Sequence, residues 1–415
     1  MVLEAVLAWL THDAARRPLA VDLLQLVRLP RLSEAKLDQL KGHPALQDAS
    51  NATGLQKLLS DLQRYKGMTE AEQREHKAEF SSLWTKKRWC ECGWLYAVGG
   101  SDGQHHLDSV ERYEAVEDVW HPVAPMRTAR RNCGVGVLRS QLYAVGGRNE
   151  HKQVLRLVSL CKAAPHATLW NCRLCSAETW WCQVMDNIER YDSKEDRWER
   201  VDHPMRTARY FLAVGVMGDK LYVVGGVDKR NASLASAECY DSSTGRWTPV
   251  ASMSQRRYGC GAGVLNGKLY VIGGTMEKNG DYLDTAERYD PVADLWEDVA
   301  PMSTSRYCCG VCVINGKLFA VGGVDKKYVK LASVESFDPV TGEWSEEPSM
   351  LTARYNCGVE ESAGKMYVVG GRDEKNRALQ TVECFDTLTS TWYPAAPMGT
   401  VRSSGAVAVL PPTVA

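Results

Sequence analysis

The residues best equipped for chemistry in this 415-residue chain are its 14 cysteines, its nine histidines and a recurring set of Glu, Arg and Tyr. Cys133, Cys260, Cys309 and Cys357 each stand three residues after an arginine: Arg130, Arg257, Arg306 and Arg354. A ring of such thiolates would suit a soft metal or redox chemistry. The plainer reading, and the one taken, is small buried side chains packed beside glycine; Cys308 and Cys312 add nothing to either. Cys161, Cys172, Cys175 and Cys182 form a second group with His166. Cys172-Arg-Leu-Cys175 has the spacing of a zinc pair, but the other two do not, so a surface loop is expected over a zinc site. No histidine follows His203, which leaves the second half of the chain without imidazole ligands. No phosphate-binding glycine loop, nucleophile elbow or zinc-protease helix motif occurs. The expectation is therefore no catalytic residue, no metal and no cofactor. A repeated Glu at a fixed register is read as the structural partner of the repeated Arg rather than as an acid or base.

Tyrosine and arginine offer another chemistry. Tyr210, Tyr258, Tyr307 and Tyr355 directly follow a recurring arginine, and Arg131 and Ser403 hold the same register. A second register, after recurring glycine pairs, holds Ser101, Arg148, Val227, Thr275, Val324 and Arg372. Tyr and Arg are interface residue types, giving rigid area and forked donors. Arg131, Arg148, Tyr210, Tyr258, Tyr307, Tyr355 and Arg372 are the candidate binding residues, with packing as the alternative for the tyrosines.

The elements that must position them are written in a repeat. Apolar runs end at Gly99-Gly100, Gly146-Gly147, Gly225-Gly226, Gly273-Gly274, Gly322-Gly323 and Gly370-Gly371, in steps of 47, 79, 48, 49 and 48 residues. A tryptophan recurs at Trp120, Trp198, Trp247, Trp296, Trp344 and Trp392. A methionine follows each, and an arginine stands four residues beyond it, as in Met302 and Arg306. Each unit reads as four short strands. Gly261–Leu265 and Lys268–Ile272 are joined by Asn266-Gly267, which favours a two-residue hairpin because both positions need positive φ. Leu221–Val224 and Leu269–Ile272 are nearly all apolar, as strands buried on both faces are.

These units resemble kelch repeats from Trp94 to Leu410. The resemblance implies an all-β, six-bladed kelch β-propeller, with Gly405–Leu410 returning to complete the first blade. It also implies that the two Tyr/Arg registers lie on the degron-binding face. In the first 85 residues, Leu3, Val6, Leu7 and Leu10 have helical spacing. The stretch from Glu4 to Pro30 is similar to the end of the BACK region of BTB–BACK–kelch proteins. The expected division is a short α-helical, partial BACK region and linker over 1–85 and the propeller over 86–415. The second unit departs from the repeat. Its distance from the glycine pair to the third-strand Tyr is restored by removing 155–184, which is read as an insertion, with Met185–Glu189 resuming as a third strand.

The resemblance implies the substrate-recognition part of a cullin-3 ubiquitin-ligase adaptor, binding a substrate protein or degron peptide. No BTB domain precedes Met1, so this chain is expected to hold cullin-3 poorly and to be a monomer. An actin-binding scaffold is the alternative. Some kelch propellers are copper oxidases, a reading that the missing histidines weigh against. With 50 basic and 51 acidic residues there is no excess to suit nucleic acid. No span suits a membrane and no signal peptide is evident, so the cytoplasm, or the nucleus, is the expected place.

Overall fold

The computed structural model describes residues 93–115, 117–152, 180–277, 282–387 and 389–411, with Ser60 and Arg64 as isolated helical positions. The chain divides into two units, Met1–Cys92 and Gly93–Ala415. Apart from Ser60 and Arg64, the helical region expected over 1–85 lies outside the described residues. In the second unit, six four-stranded antiparallel sheets follow one another as blades, and the fold is the six-bladed propeller that the repeat implied.

Blade four shows how the sequence makes a blade. The inner strand Gly261–Leu265 turns through Asn266 (φ 52°) and Gly267 (φ 72°) into the second strand Lys268–Ile272. The third strand is Ala286–Asp290 and the outer strand is Leu295–Val299. Leu269, Val271 and Ile272 are fully buried, because the second strand packs against a blade on each side. Trp296 on the outer strand lies 5.2 Å from the Tyr289 ring and donates its indole N–H to the Ala251 carbonyl of the preceding blade, at 2.8 Å. The equivalent indoles of the other five blades do the same.

Inner strands sit closer together than side chains normally allow. A Cβ on Gly261 would fall 2.2 Å from Val311 Cγ2 of the next blade, so glycine is what permits the approach. The ring closes through Ala406–Leu410, which pairs with Trp94–Val98 and becomes the inner strand of blade one.

At the crossing from each blade to the next stands the recurring arginine. Arg257 is fully buried. Its backbone carbonyl accepts the Gly226 N–H of blade three, while its Nη1 donates to the Gly273 carbonyl of blade four at 3.1 Å. Its Nε donates to Glu287 Oε1 at 3.0 Å, and the other oxygen of Glu287 accepts the Ser254 N–H at 2.7 Å. Arg130–Glu189, Arg209–Glu238, Arg306–Glu335, Arg354–Glu383 and Arg402–Glu111 repeat the pair. The repeated carboxylate therefore has the structural role read for it. The first glycine of each pair is fixed by the same contact. Gly273 has φ +65°, and a Cβ there would lie 2.3 Å from the Arg306 carbonyl oxygen.

In blade two the third strand is Ile188–Asp192, three residues later than the 185–189 expected. The reason is that Met185 takes the loop position held by Leu234 in blade three: each donates its N–H to the carbonyl of the second glycine, Gly147 or Gly226. Arg148–Lys152 and Trp180–Val184 pair as a separate two-stranded ribbon, so Val184, assigned to the insertion, pairs directly with Arg148.

Removing one partner of a buried pair strands the other charge in the interior. Arg257→Met is expected to cost about 3–5 kcal/mol, and the double variant Arg257→Met/Glu287→Leu appreciably less, measured by urea unfolding. Equal losses in the two variants would show that the stranded charge is not the cause.

Candidate interaction face

The buried arginine also sets the loop face, because the three residues after it have no freedom left. The first pairs by backbone bridges with the residue after the glycine pair: Arg131 with Arg148, Tyr210 with Val227, Tyr258 with Thr275, Tyr307 with Val324, Tyr355 with Arg372 and Ser403 with Ser101. The two registers singled out in the sequence are thus neighbours in every blade. The second residues are Asn132, Phe211, Gly259, Cys308, Asn356 and Ser404, all left-handed with φ between 52° and 60°. Each donates its N–H to the carbonyl of its counterpart in the preceding blade, and Asn132 donates to Ser404, so six hydrogen bonds of 2.7–3.0 Å close a circle around the propeller axis. The third residues line a cavity of about 150 Å³ with them.

Within this frame the candidate residues differ in what they offer. Tyr210 and Tyr258 are 6% and 8% exposed, so most of each ring is spent on packing. Tyr307 and Tyr355 are half-buried. The Tyr210 and Tyr355 hydroxyls donate to Asn231 Oδ1 and Asn376 Oδ1 of their own blades. Arg372 Nη1 donates to the Asn376 carbonyl at 2.7 Å. Arg148 lies over the Tyr210 ring, 5.1 Å from its centre. Beside Arg131 and Arg148, burial and then the two guanidiniums push His106 down to about 4, despite Glu150 Oε1 at 3.2 Å from its Nε2. The imidazole is therefore neutral at pH 7, and the positive charge at blade two belongs to the arginines.

Three face residues escape the register argument. Phe211 lies 6.0 Å from Tyr258 and 6.2 Å from Tyr307; Tyr282 stacks on Tyr307 at 4.9 Å; Tyr328 meets Tyr282 edge-on at 5.6 Å. Together they carry an aromatic file from Tyr210 in blade three to Tyr328 in blade five. Tyr328 was legible by comparing loops. Asp228-Lys-Arg-Asn231 and Asp373-Glu-Lys-Asn376 end in the asparagine that tolerates left-handed backbone, whereas Asp325-Lys-Lys-Tyr328 ends in tyrosine. Tyr328 nonetheless keeps φ +64°, and 56% of it is exposed.

The recurring cysteines face inward. Burial pushes Cys133 and Cys309 up to about 11, and Cys260 and Cys357 up to about 12. These are packed thiols rather than nucleophiles at pH 7. Cys161, Cys172, Cys175, the Cys182 side chain and His166, weighed above for zinc, lie outside the described residues.

Six blades with paired glycines, an interblade tryptophan and a buried Arg–Glu staple define a kelch-repeat propeller. The comparisons agree. Residues 182–353 match the KLHDC2/KLHL20/DRC7 Kelch-repeats domain, 94–127 and 353–399 the Kelch motif, and 1–41 the BACK (BTB And C-terminal Kelch) family. The propeller is thus built from kelch repeats, and the curated proteins it is similar to include Kelch-like proteins. It is similar to human Kelch-like protein 28, with 31% identity over 55% of this chain and 35% of the relative. It is also similar to mouse Kelch-like protein 38, with 28% identity over 39% of this chain and 31% of the relative. The chain thus matches about a third of the length of such relatives. A solved structure described as "Structure of YjhT" superposes with a TM-score of 0.57 at 14% identity, covering 73% of this chain and 97% of that one, and supports the fold.

Because these thiols sit well above their ordinary value of 9.0, alkylation of native protein at pH 8 is expected to spare Cys133, Cys260, Cys309 and Cys357, as read by peptide mass spectrometry. The raised values also mean that the unfolded chain loses these protons first. The stability they contribute is full below pH 9 and falls as the pH rises towards 11–12. Rapid native labelling of these four residues would contradict this account.

Proposed function

We propose that this chain is a protein-interaction module, the substrate-recognition part of a cullin-3 ubiquitin-ligase adaptor, and that its Tyr/Arg rim receives a substrate protein or degron peptide. The observation that carries the reading is the rim itself. Two residue registers per blade are locked side by side by backbone bridges, so the backbone that carries the aromatic and guanidinium groups is already ordered and the cost of binding is reduced. The Kelch-like relatives and the BACK match at 1–41 support the adaptor assignment. A reducing compartment, cytoplasm or nucleus, belongs to the same reading, which the free thiols of Cys133, Cys239, Cys260, Cys308, Cys309, Cys312, Cys357 and Cys384 suit.

The test is affinity purification of the tagged chain from cells, with mass spectrometry of what is retained, beside a Tyr355→Ala/Arg372→Ala variant. Both residues are half-buried on the rim. The variant is expected to keep its thermal midpoint within a few degrees and to lose at least one retained protein. An unchanged set of partners would reject the rim. Co-sedimentation with actin filaments that survives in the variant would favour the scaffold alternative instead.

A further inference from the structure

Three sister loops follow the glycine pairs of blades three, five and six with the same backbone. In each an aspartate opens the turn, its N–H donating four residues on: Asp228 to Ala232, Asp325 to Val329, Asp373 to Arg377. In each, one oxygen of that aspartate accepts two backbone N–H groups. The fourth residue is left-handed in all three, with φ 61° at Asn231, 64° at Tyr328 and 60° at Asn376. In blades three and six that residue is an asparagine accepting from the rim tyrosine. In blade five it is Tyr328, a bulky side chain in a conformation such residues avoid. Backbone strain of this kind is held in place by the surrounding structure, here the Asp325 turn, and it clusters where a side chain is put to use.

Around Tyr328 the surface is apolar and positive together. Val329 is 52% exposed beside it. Lys326 and Lys327 are exposed and Lys330 is half-buried, while the loop's own carboxylate, Asp325, is turned into the loop as its cap. The Tyr328 ring is held edge-on by Tyr282, which stacks on Tyr307, so it stands on a rigid base rather than swinging free. Lysines over an exposed aromatic and aliphatic tip ask for carboxylates flanking an apolar side chain.

We propose that the blade-five loop Val324–Leu331 is the principal anchor for an acidic peptide segment of a partner protein. Tyr328 and Val329 receive an apolar side chain of that segment, and Lys326, Lys327 and Lys330 pair with the carboxylates on either side of it. This rests on the interaction-face reading above and adds to it the class of ligand and its point of attachment.

The probe is a displayed library of random linear peptides selected on the full chain, followed by fluorescence anisotropy of the enriched peptides. Selected peptides are expected to be rich in Asp and Glu around an aromatic or aliphatic residue. Tyr328→Asn restores the side chain that the sister loops carry at this φ, so it folds at least as well. It is expected to weaken binding about tenfold or more. Lys326→Glu/Lys327→Glu is expected to abolish binding, and wild-type binding is expected to weaken as salt is raised. Selection of neutral or basic peptides, no enrichment of acidic ones, or wild-type affinity in Tyr328→Asn would overturn the proposal. So would a lysine-dependent preference for phosphatidylserine vesicles over any peptide. If peptides respond to Tyr355→Ala/Arg372→Ala but ignore Tyr328→Asn, the face stands and this anchor fails. If they ignore both, the face reading falls too.

Discussion

Everything in the propeller hangs on a guanidinium buried away from the surface. Each recurring arginine belongs to two blades at once. Its carbonyl accepts from the second glycine of the blade behind, and its Nη1 donates to the first glycine of the blade ahead. The glutamate below it then satisfies both the arginine and the crossing chain. Burying such a pair contributes little net stability, because desolvation cancels much of the attraction. What it contributes is registry. A buried charge whose Nη1 must reach the next blade's glycine carbonyl and whose guanidinium must reach its glutamate restricts the rotation of each blade against the next, which dispersion between apolar strands would leave loose.

The loop face follows from that registry. With the arginine held, the next residue is drawn into a bridge, the one after is forced left-handed, and the third turns down into the cavity. The side chain at each step is then free to vary while its position is not. This is why Arg131, Tyr210, Tyr258, Tyr307, Tyr355 and Ser403 occupy one register, and why the face holds aromatic groups over blades three to five beside guanidiniums at blades two and six. The side chains of the face vary on a scaffold that does not depend on them.

Much of this was legible in the sequence. Gly-Gly, Trp, Met and Arg in common register gave the blades. Asn266-Gly267 gave a turn to the residue, and the unmatched strand near Leu410 gave the closure. The face was harder. The recurring tyrosines showed their register but not their burial, since Tyr258 and Tyr307 differ only in what their neighbours cover. The circle of hydrogen bonds left little trace, because Phe211, Cys308 and Ser404 carry no signal for the left-handed backbone that they adopt. Glycine announces that conformation; a residue pushed into it by its surroundings does not.

The closure of blade one has a consequence for how the molecule is made. Trp94–Val98 is the first strand of the ring to leave the ribosome, yet its inner neighbour, Ala406–Leu410, is the last. During almost the whole of synthesis, five blades can form behind a first blade whose apolar second strand has an unpaired edge. The newborn chain thus carries an open, adhesive seam for a period set by translation speed, and any pause before Leu410 lengthens its exposure to chaperones and to other nascent chains.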